Sequence, residues 1–187
     1  MKLGFFGGSF NPPTIAHYNL IKQALLQYDF DKVYFVPMND YYPKPGLISI
    51  DDRIKMLEKM CEHDEKICVS TIEKEIPNHS TAIDSLMLIE NRYSNDDVYF
   101  FMGEDNFSKM KTWKDYENLK KYNYIVFQRD EKCHSQINLE NVIYMKNSEN
   151  LKISSTIIRN RLKNNQSIDE FVTREVKNYI LENKLYN

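Results

Sequence analysis

Glycine is scarce in this chain, with five among 187 residues, and cysteine is scarcer, with three. Cys61, Cys68 and Cys133 are odd in number and show no C-x-x-C spacing, which excludes a disulfide framework and a cysteine zinc site and points to a reducing compartment. Charge of one sign is also lacking. Twenty-five Lys and Arg against 27 Asp and Glu give a net charge of −2, so composition offers no attraction to nucleic acid or to an anionic membrane surface. No apolar run approaches the roughly 20 residues a membrane helix needs. The chain enters a strand-like stretch by Leu3 with no leader-like apolar segment before it, so a cytoplasmic location is expected. Four histidines, with no i, i+4 pair, leave no expected metal site built from protein side chains.

What remains is an ordinary globular composition, 42% hydrophobic and 28% charged, and one domain is expected over residues 1–187. Short apolar, β-branched or aromatic runs recur at Leu3–Phe6, Val33–Val36, Ile67–Thr71, Val98–Phe101, Tyr124–Phe127 and Val142–Met145. Most lack polar alternation, as strands covered on both faces do. Segments with helical spacing lie between several of them. Leu20, Ile21, Ala24, Leu25 and Tyr28 mark the first; Ile54, Leu57, Met60 and Cys61 mark the second, with Ser49 as its cap. Leu86, Ile89 and Tyr93 mark the third, with Ser80 as its expected cap. Two further helices fit near Ser155–Leu162 and Glu170–Leu181. This order predicts an α/β fold: a doubly wound, mostly parallel sheet with helices on both faces and a C-terminal helical segment. Such sheets bind ligands at the carboxyl ends of their strands. Residues Asn39–Ile50, with Pro43, Pro45 and Gly46, read as a long loop, and in a compact domain such loops are often functional or mobile.

The scarce residues are not spread evenly. "GGSFNPPTIAH", residues 7–17, holds two of the five glycines and one of the four histidines. Gly7 and Gly8 are expected to form a turn after the first strand, where backbone N–H groups can approach a ligand with no Cβ in the way. Pro12 and Pro13 stiffen the chain, and Thr14 caps the helix that follows. His17 lies in that helix's first turn, beside N–H groups that favour an anion. The pattern is neither G-x-G-x-x-G nor a Walker A sequence. A second such place is "ISSTIIRNRL", residues 153–162: Ser154 or Ser155 caps a helix, and Thr156 and Arg159 share its face. Hydroxyls, helix N–H groups and a guanidinium there suit a phosphate.

The first segment resembles the signature of the nucleotidyltransferase superfamily, Gly-x-Phe-Asp/Asn-Pro followed by His/Thr-x-Gly-His, with Thr14 and His17 matching and Ala16 where glycine is usual. The second resembles that superfamily's Ile-Ser-x-Thr-x-x-Arg. "YFVP", Lys44, "DDRIKML", "STAIDSL", "FFMGEDNFSKMKTW", "VFQRD" and the ending "YILENKLY" are similar to the bacterial nicotinate mononucleotide adenylyltransferases, across essentially the whole chain. Thr81, Ala82 and Ser85 depart from the family's Tyr-Thr-x-Asp-Thr-Leu.

The resemblance implies a Rossmann-like domain that transfers an adenylyl group from ATP to nicotinate mononucleotide. It implies catalytic roles for His17, Thr14, Lys44 and Arg159. ATP contacts would come from Gly7, Gly8, Ser9, Phe10, Asn11, Gly103, Asp105, Ser154, Ser155 and Thr156, and acceptor contacts from Ala82, Asp84 and Trp113. Mg²⁺ would arrive bound to ATP. The expected partners are the two nucleotides, with neither nucleic acid nor membrane; monomer and homo-oligomer stay open. Nicotinamide mononucleotide and phosphopantetheine are the alternative acceptors, and a nucleotide sensor without turnover is the alternative of another class.

Overall fold

The structure is a computed structural model that describes residues 1–77, 81–128, 137, 139–146 and 153–186. Among them six strands form one sheet: β1 (Lys2–Gly8), β2 (Lys32–Pro37), β3 (Ile67–Val69), β4 (Asp97–Gly103), β5 (Asn123–Gln128) and β6 (Val142–Lys146). Their order is β3-β2-β1-β4-β5-β6, and all five neighbouring pairs are parallel. The order reverses between β1 and β4, so the carboxyl ends of these strands open the crevice where such sheets take ligands.

Among the described residues there are seven α-helices: α1 (Ile15–Tyr28), α2 (Ile50–Cys61), α3 (Ala82–Arg92), α4 (Glu104–Phe107), α5 (Tyr116–Leu119), α6 (Ser155–Lys163) and α7 (Arg174–Glu182). Alternate residues of each strand point to opposite faces of the sheet. Phe6, Phe101, Ile125 and Phe127 meet Ile21 and Ala24 of α1, Met56 and Leu57 of α2, Ile158 of α6, and Val176 and Ile180 of α7. On the other face Leu3, Phe5, Phe100, Tyr124 and Val126 meet Ile83, Leu86 and Ile89 of α3, Phe107 and Leu119. Each fully buried aromatic or aliphatic side chain contributes about 1.5–3 kcal/mol. The parallel, doubly wound reading from sequence therefore holds.

Several local expectations shift. β3 ends at Val69, because Ile72–Glu75 turn into a short 3₁₀ helix. Ser80, the expected cap of α3, lies outside the described residues; Thr81 is the cap. The last helix begins at Arg174 instead of Glu170, since the Thr173 hydroxyl accepts from the Val176 N–H at 3.4 Å and sets its first turn. Cys133 lies outside the described residues, as do His79 and His134.

The largest difference concerns Gly7 and Gly8. Both stay in β1, paired with Val36 and Pro37 of β2. The chain turns instead at Phe10, whose φ is 45°, and the Asn11–Pro12 peptide bond is cis. Gly8 is needed for another reason. A Cβ there would come within 2.9 Å of the Phe10 ring, which is buried against Phe6, His17 and Phe35. The missing side chain makes room for a packed phenylalanine, and that phenylalanine holds the turn.

Candidate active site

The first-helix signature closes on itself. The Thr14 N–H donates to His17 Nδ1 at 3.0 Å, and the His17 N–H donates to Thr14 Oγ1 at 3.3 Å. This reciprocal cap fixes the imidazole, which packs against the rings of Phe6 and Phe10 at centroid distances of 6.0 and 5.2 Å. An Nδ1 that accepts from a backbone N–H places the hydrogen of the neutral ring on Nε2.

The second signature docks on the first. Ser154 caps α6, its hydroxyl accepting from the Ile157 N–H at 3.3 Å. The Ser155 hydroxyl donates to the Pro12 carbonyl at 2.7 Å. Arg159 Nη1 donates to the Asn11 carbonyl at 2.7 Å, and Nη2 to Thr156 Oγ1 at 3.2 Å. Segments some 140 residues apart in sequence thus meet at two hydrogen bonds, and the guanidinium lies beside the turn at Phe10.

The loop after β2 closes the third side. Lys44 Nζ donates to Ser9 Oγ at 2.7 Å. Asn11 Nδ2 donates to the Gly46 carbonyl at 2.7 Å. Burial, then Arg159 and Arg53, lower the pKa of the Lys44 ammonium, which places three cations around Ser9–Asn11. An anion there relieves their mutual repulsion.

A cavity of about 560 Å³ borders the Gly7–Ser9 stretch, a size that suits a small-molecule ligand. Gly7, Gly8, Ser9 and Lys44 form part of its wall, with Tyr42, Glu73, Ala82, Ser85 and Trp113. The half-buried Trp113 packs against the α3 side of the core and presents itself to the cavity. Ala82 opens α3 at the cavity wall. The space a Cβ would take at Gly7 is clear to 4 Å.

The remaining sequence-derived residues fall less centrally. Gly103 ends β4, and Asp105 follows it on α4, exposed at the carboxyl end of the sheet. The Asp84 carboxylate accepts the Thr81 N–H at 2.8 Å and the Thr81 hydroxyl at 2.7 Å, bonds that lower its pKa. It caps α3 and is not part of the cavity wall. Among the described residues no three His, Cys, Asp or Glu side chains gather as a metal-ligand group. No helix among them is long and apolar enough to cross a membrane.

Two residues of the site received no role from the sequence reading. Arg53, wholly buried, donates to the Ser9 carbonyl at 2.9 Å, the Ile48 carbonyl at 3.0 Å and Asp40 Oδ1 at 2.9 Å. It straps the loop after β2 to the signature turn. Its signal was present, since an arginine amid the apolar positions of α2 requires internal partners. Glu73, buried in the cavity wall, accepts the Ser85 hydroxyl and the Asn39 N–H. Nothing in its local sequence distinguishes it from a surface glutamate.

A doubly wound sheet with a phosphate-suited turn at its switch point defines a nucleotide-binding α/β protein. Residues 5–161 match the family model described as cytidylyltransferase-like, and the chain belongs to that family. Its relatives narrow the placement. It is 33% identical to a probable nicotinate-nucleotide adenylyltransferase of Fusobacterium nucleatum, over 96% of this chain and 97% of that one. It is 36% identical to a probable nicotinate-nucleotide adenylyltransferase of Acholeplasma laidlawii, over 97% and 95%. Within the cytidylyltransferase-like family it therefore falls among the nicotinate-nucleotide adenylyltransferases. A Plasmodium falciparum nicotinic acid mononucleotide adenylyltransferase complexed with NaAD shares the fold, with TM-score 0.83 and 20% identity over 99% of this chain and 97% of that one.

Proposed function

We propose that residues 1–187 act as a single nucleotidyltransferase domain that transfers the adenylyl group of ATP to nicotinate mononucleotide. The products are nicotinate adenine dinucleotide and pyrophosphate, and the reaction belongs to NAD biosynthesis. The observation that carries this reading is the pair of bonds from Ser155 and Arg159 to Pro12 and Asn11, because they unite donors from both signatures at one place. The relatives named above support the choice of acceptor.

The acceptor's 5′-phosphate is already ionised and attacks the α-phosphorus in line. A P–O bond forms to the acceptor as the bond to the bridging β-oxygen breaks, and the electron pair leaves with pyrophosphate. No side-chain nucleophile or strong base is needed, so the protein's part is to position groups and to stabilise charge. His17, through Nε2–H, and the Gly8–Ser9 backbone serve the α-phosphate, with Thr14 holding the ring. Lys44 and Arg159 take the β- and γ-phosphates and the negative charge that develops on the leaving group. Ser154 and Thr156 add hydroxyls and α6 its helix-end N–H groups, Ser155 ties that helix end to Pro12, and Asp105 accepts the adenosine ribose hydroxyls. Trp113 stacks on the pyridine ring, with Ala82 and the α3 terminus beside it; Asp84 contributes by shaping that terminus. A divalent cation enters as part of the ATP substrate, and we propose Mg²⁺, held by phosphate oxygens and water.

The test offers ATP with nicotinate mononucleotide, nicotinamide mononucleotide or phosphopantetheine, each separately, and measures pyrophosphate release. The expected result is fastest release with nicotinate mononucleotide and none with phosphopantetheine. Release with none of the three supports the sensor alternative and contradicts the proposal.

A further inference from the structure

The ending "KLY" has no part in the chemistry just described, yet its tyrosine reaches the signature turn. After α7 the Leu185 N–H donates to the Ile180 carbonyl at 3.0 Å, and Lys184 and Tyr186 adopt φ values of 50° and 67°. Non-glycine residues hold that left-handed backbone only where surrounding contacts determine it. Here the contact is with Asn11: the Tyr186 hydroxyl donates to Asn11 Oδ1 at 2.9 Å.

Asn11 is wholly buried, and three segments converge on it. Its Oδ1 accepts from Tyr186 and, more weakly, from the Ile48 N–H at 3.4 Å; its Nδ2 donates to the Gly46 carbonyl at 2.7 Å; its main-chain carbonyl receives Arg159 at 2.7 Å. The two ends of a carboxamide differ only in what they can bond. The Gly46 carbonyl, which can only accept, and the Ile48 N–H, which can only donate, set which end of the amide is which, and the Tyr186 hydroxyl adds the shorter bond to Oδ1 that braces the amide against the Lys44 loop. Arg53 and Arg159 lie close enough to the Tyr186 phenol to interact with it, while burial raises its pKa and keeps it a neutral donor.

We propose that Tyr186 is a positioning residue for ATP. Its hydroxyl braces the Asn11 amide and, through it, helps hold the Lys44 loop and Arg159 in register around the triphosphate. This rests on the ATP half of the function proposed above, and not on the identity of the acceptor.

The test is equilibrium binding of MgATP and, separately, of nicotinate mononucleotide to the full chain and to Tyr186→Phe, with thermal unfolding of both. Phenylalanine keeps the ring in place and removes the donor alone. Losing one hydrogen bond to a buried amide predicts a Kd for MgATP about tenfold higher. The acceptor Kd is expected to stay within twofold and the unfolding midpoint within a few degrees. An unchanged MgATP Kd overturns the proposal. So does equal weakening of both ligands with a lowered midpoint, which is the mark of a merely structural tyrosine. Failure of the unmodified chain to bind MgATP contradicts the function itself, and so stands apart from a negative result with the variant.

Discussion

Replacing His17 with alanine is expected to lower kcat by about 10²–10³, the usual cost of losing one preorganised donor aimed at charge that develops in the transition state. The Thr14 N–H at 3.0 Å from Nδ1 leaves Nε2 as the hydrogen-bearing nitrogen, so the ring meets the α-phosphate as a donor without having to become charged. The imidazole is held before substrate arrives, by its cap with Thr14 and by the rings of Phe6 and Phe10. Alanine keeps the helix, since Thr14 Oγ1 still accepts the backbone N–H of residue 17. The lost ring contacts cost about 1 kcal/mol of stability. Steady-state kinetics with thermal unfolding separate the two effects: turnover collapses while KM for ATP changes little and the protein stays folded. Turnover within threefold of the unmodified enzyme removes His17 from the mechanism.

Arg159→Ala is expected to cost as much in kcat/KM for ATP, again about 10²–10³, but with a different division. The guanidinium lies beside Lys44 and Arg53, where it lowers the Lys44 pKa and where the departing pyrophosphate needs positive charge. Its loss raises KM for ATP and lowers kcat together, leaving KM for the acceptor unchanged. Arg159→Lys restores charge but not the fork that reaches the Asn11 carbonyl and Thr156 at once, so it recovers only part of the activity. Full recovery with lysine contradicts a role for the forked geometry. A rise confined to the acceptor KM places Arg159 in the other subsite.

What the sequence disclosed was whatever depends on local pattern. The apolar runs of β1, β2, β4 and β5 are largely buried, so they lack polar residues and can be recognised one at a time, and the run of the edge strand β6 is recognisable although Tyr144 is exposed. Ser49, Thr14 and Ser154 were legible as caps because a cap is a matter of three or four consecutive residues. The two signatures were legible because each groups glycine or hydroxyl residues with a charged or titratable one at a helix start. What stayed hidden depends on residues far apart in the chain. From sequence, Gly8 suggests a turn that opens the backbone to a ligand, whereas its role is to admit the Phe10 ring, and the positive φ falls on Phe10 itself. The resemblance gives Lys44 a catalytic role, but its tie to Ser9, 35 residues earlier, is a tertiary fact. Arg53, Glu73 and Tyr186 each bond to a segment that no periodicity connects to them. Asp84 illustrates the converse: its motif drew attention, yet its carboxylate is engaged in capping α3.

The central claim is that two distant segments make one cradle for a triphosphate, and a crystal structure with a non-hydrolysable ATP analogue measures this directly. The account predicts the α-phosphate within hydrogen-bond distance of His17 Nε2, and the β- or γ-phosphate within hydrogen-bond distance of Arg159 and Lys44. A triphosphate bound away from the Ser9–Asn11 turn, touching neither the imidazole nor the guanidinium, would contradict it.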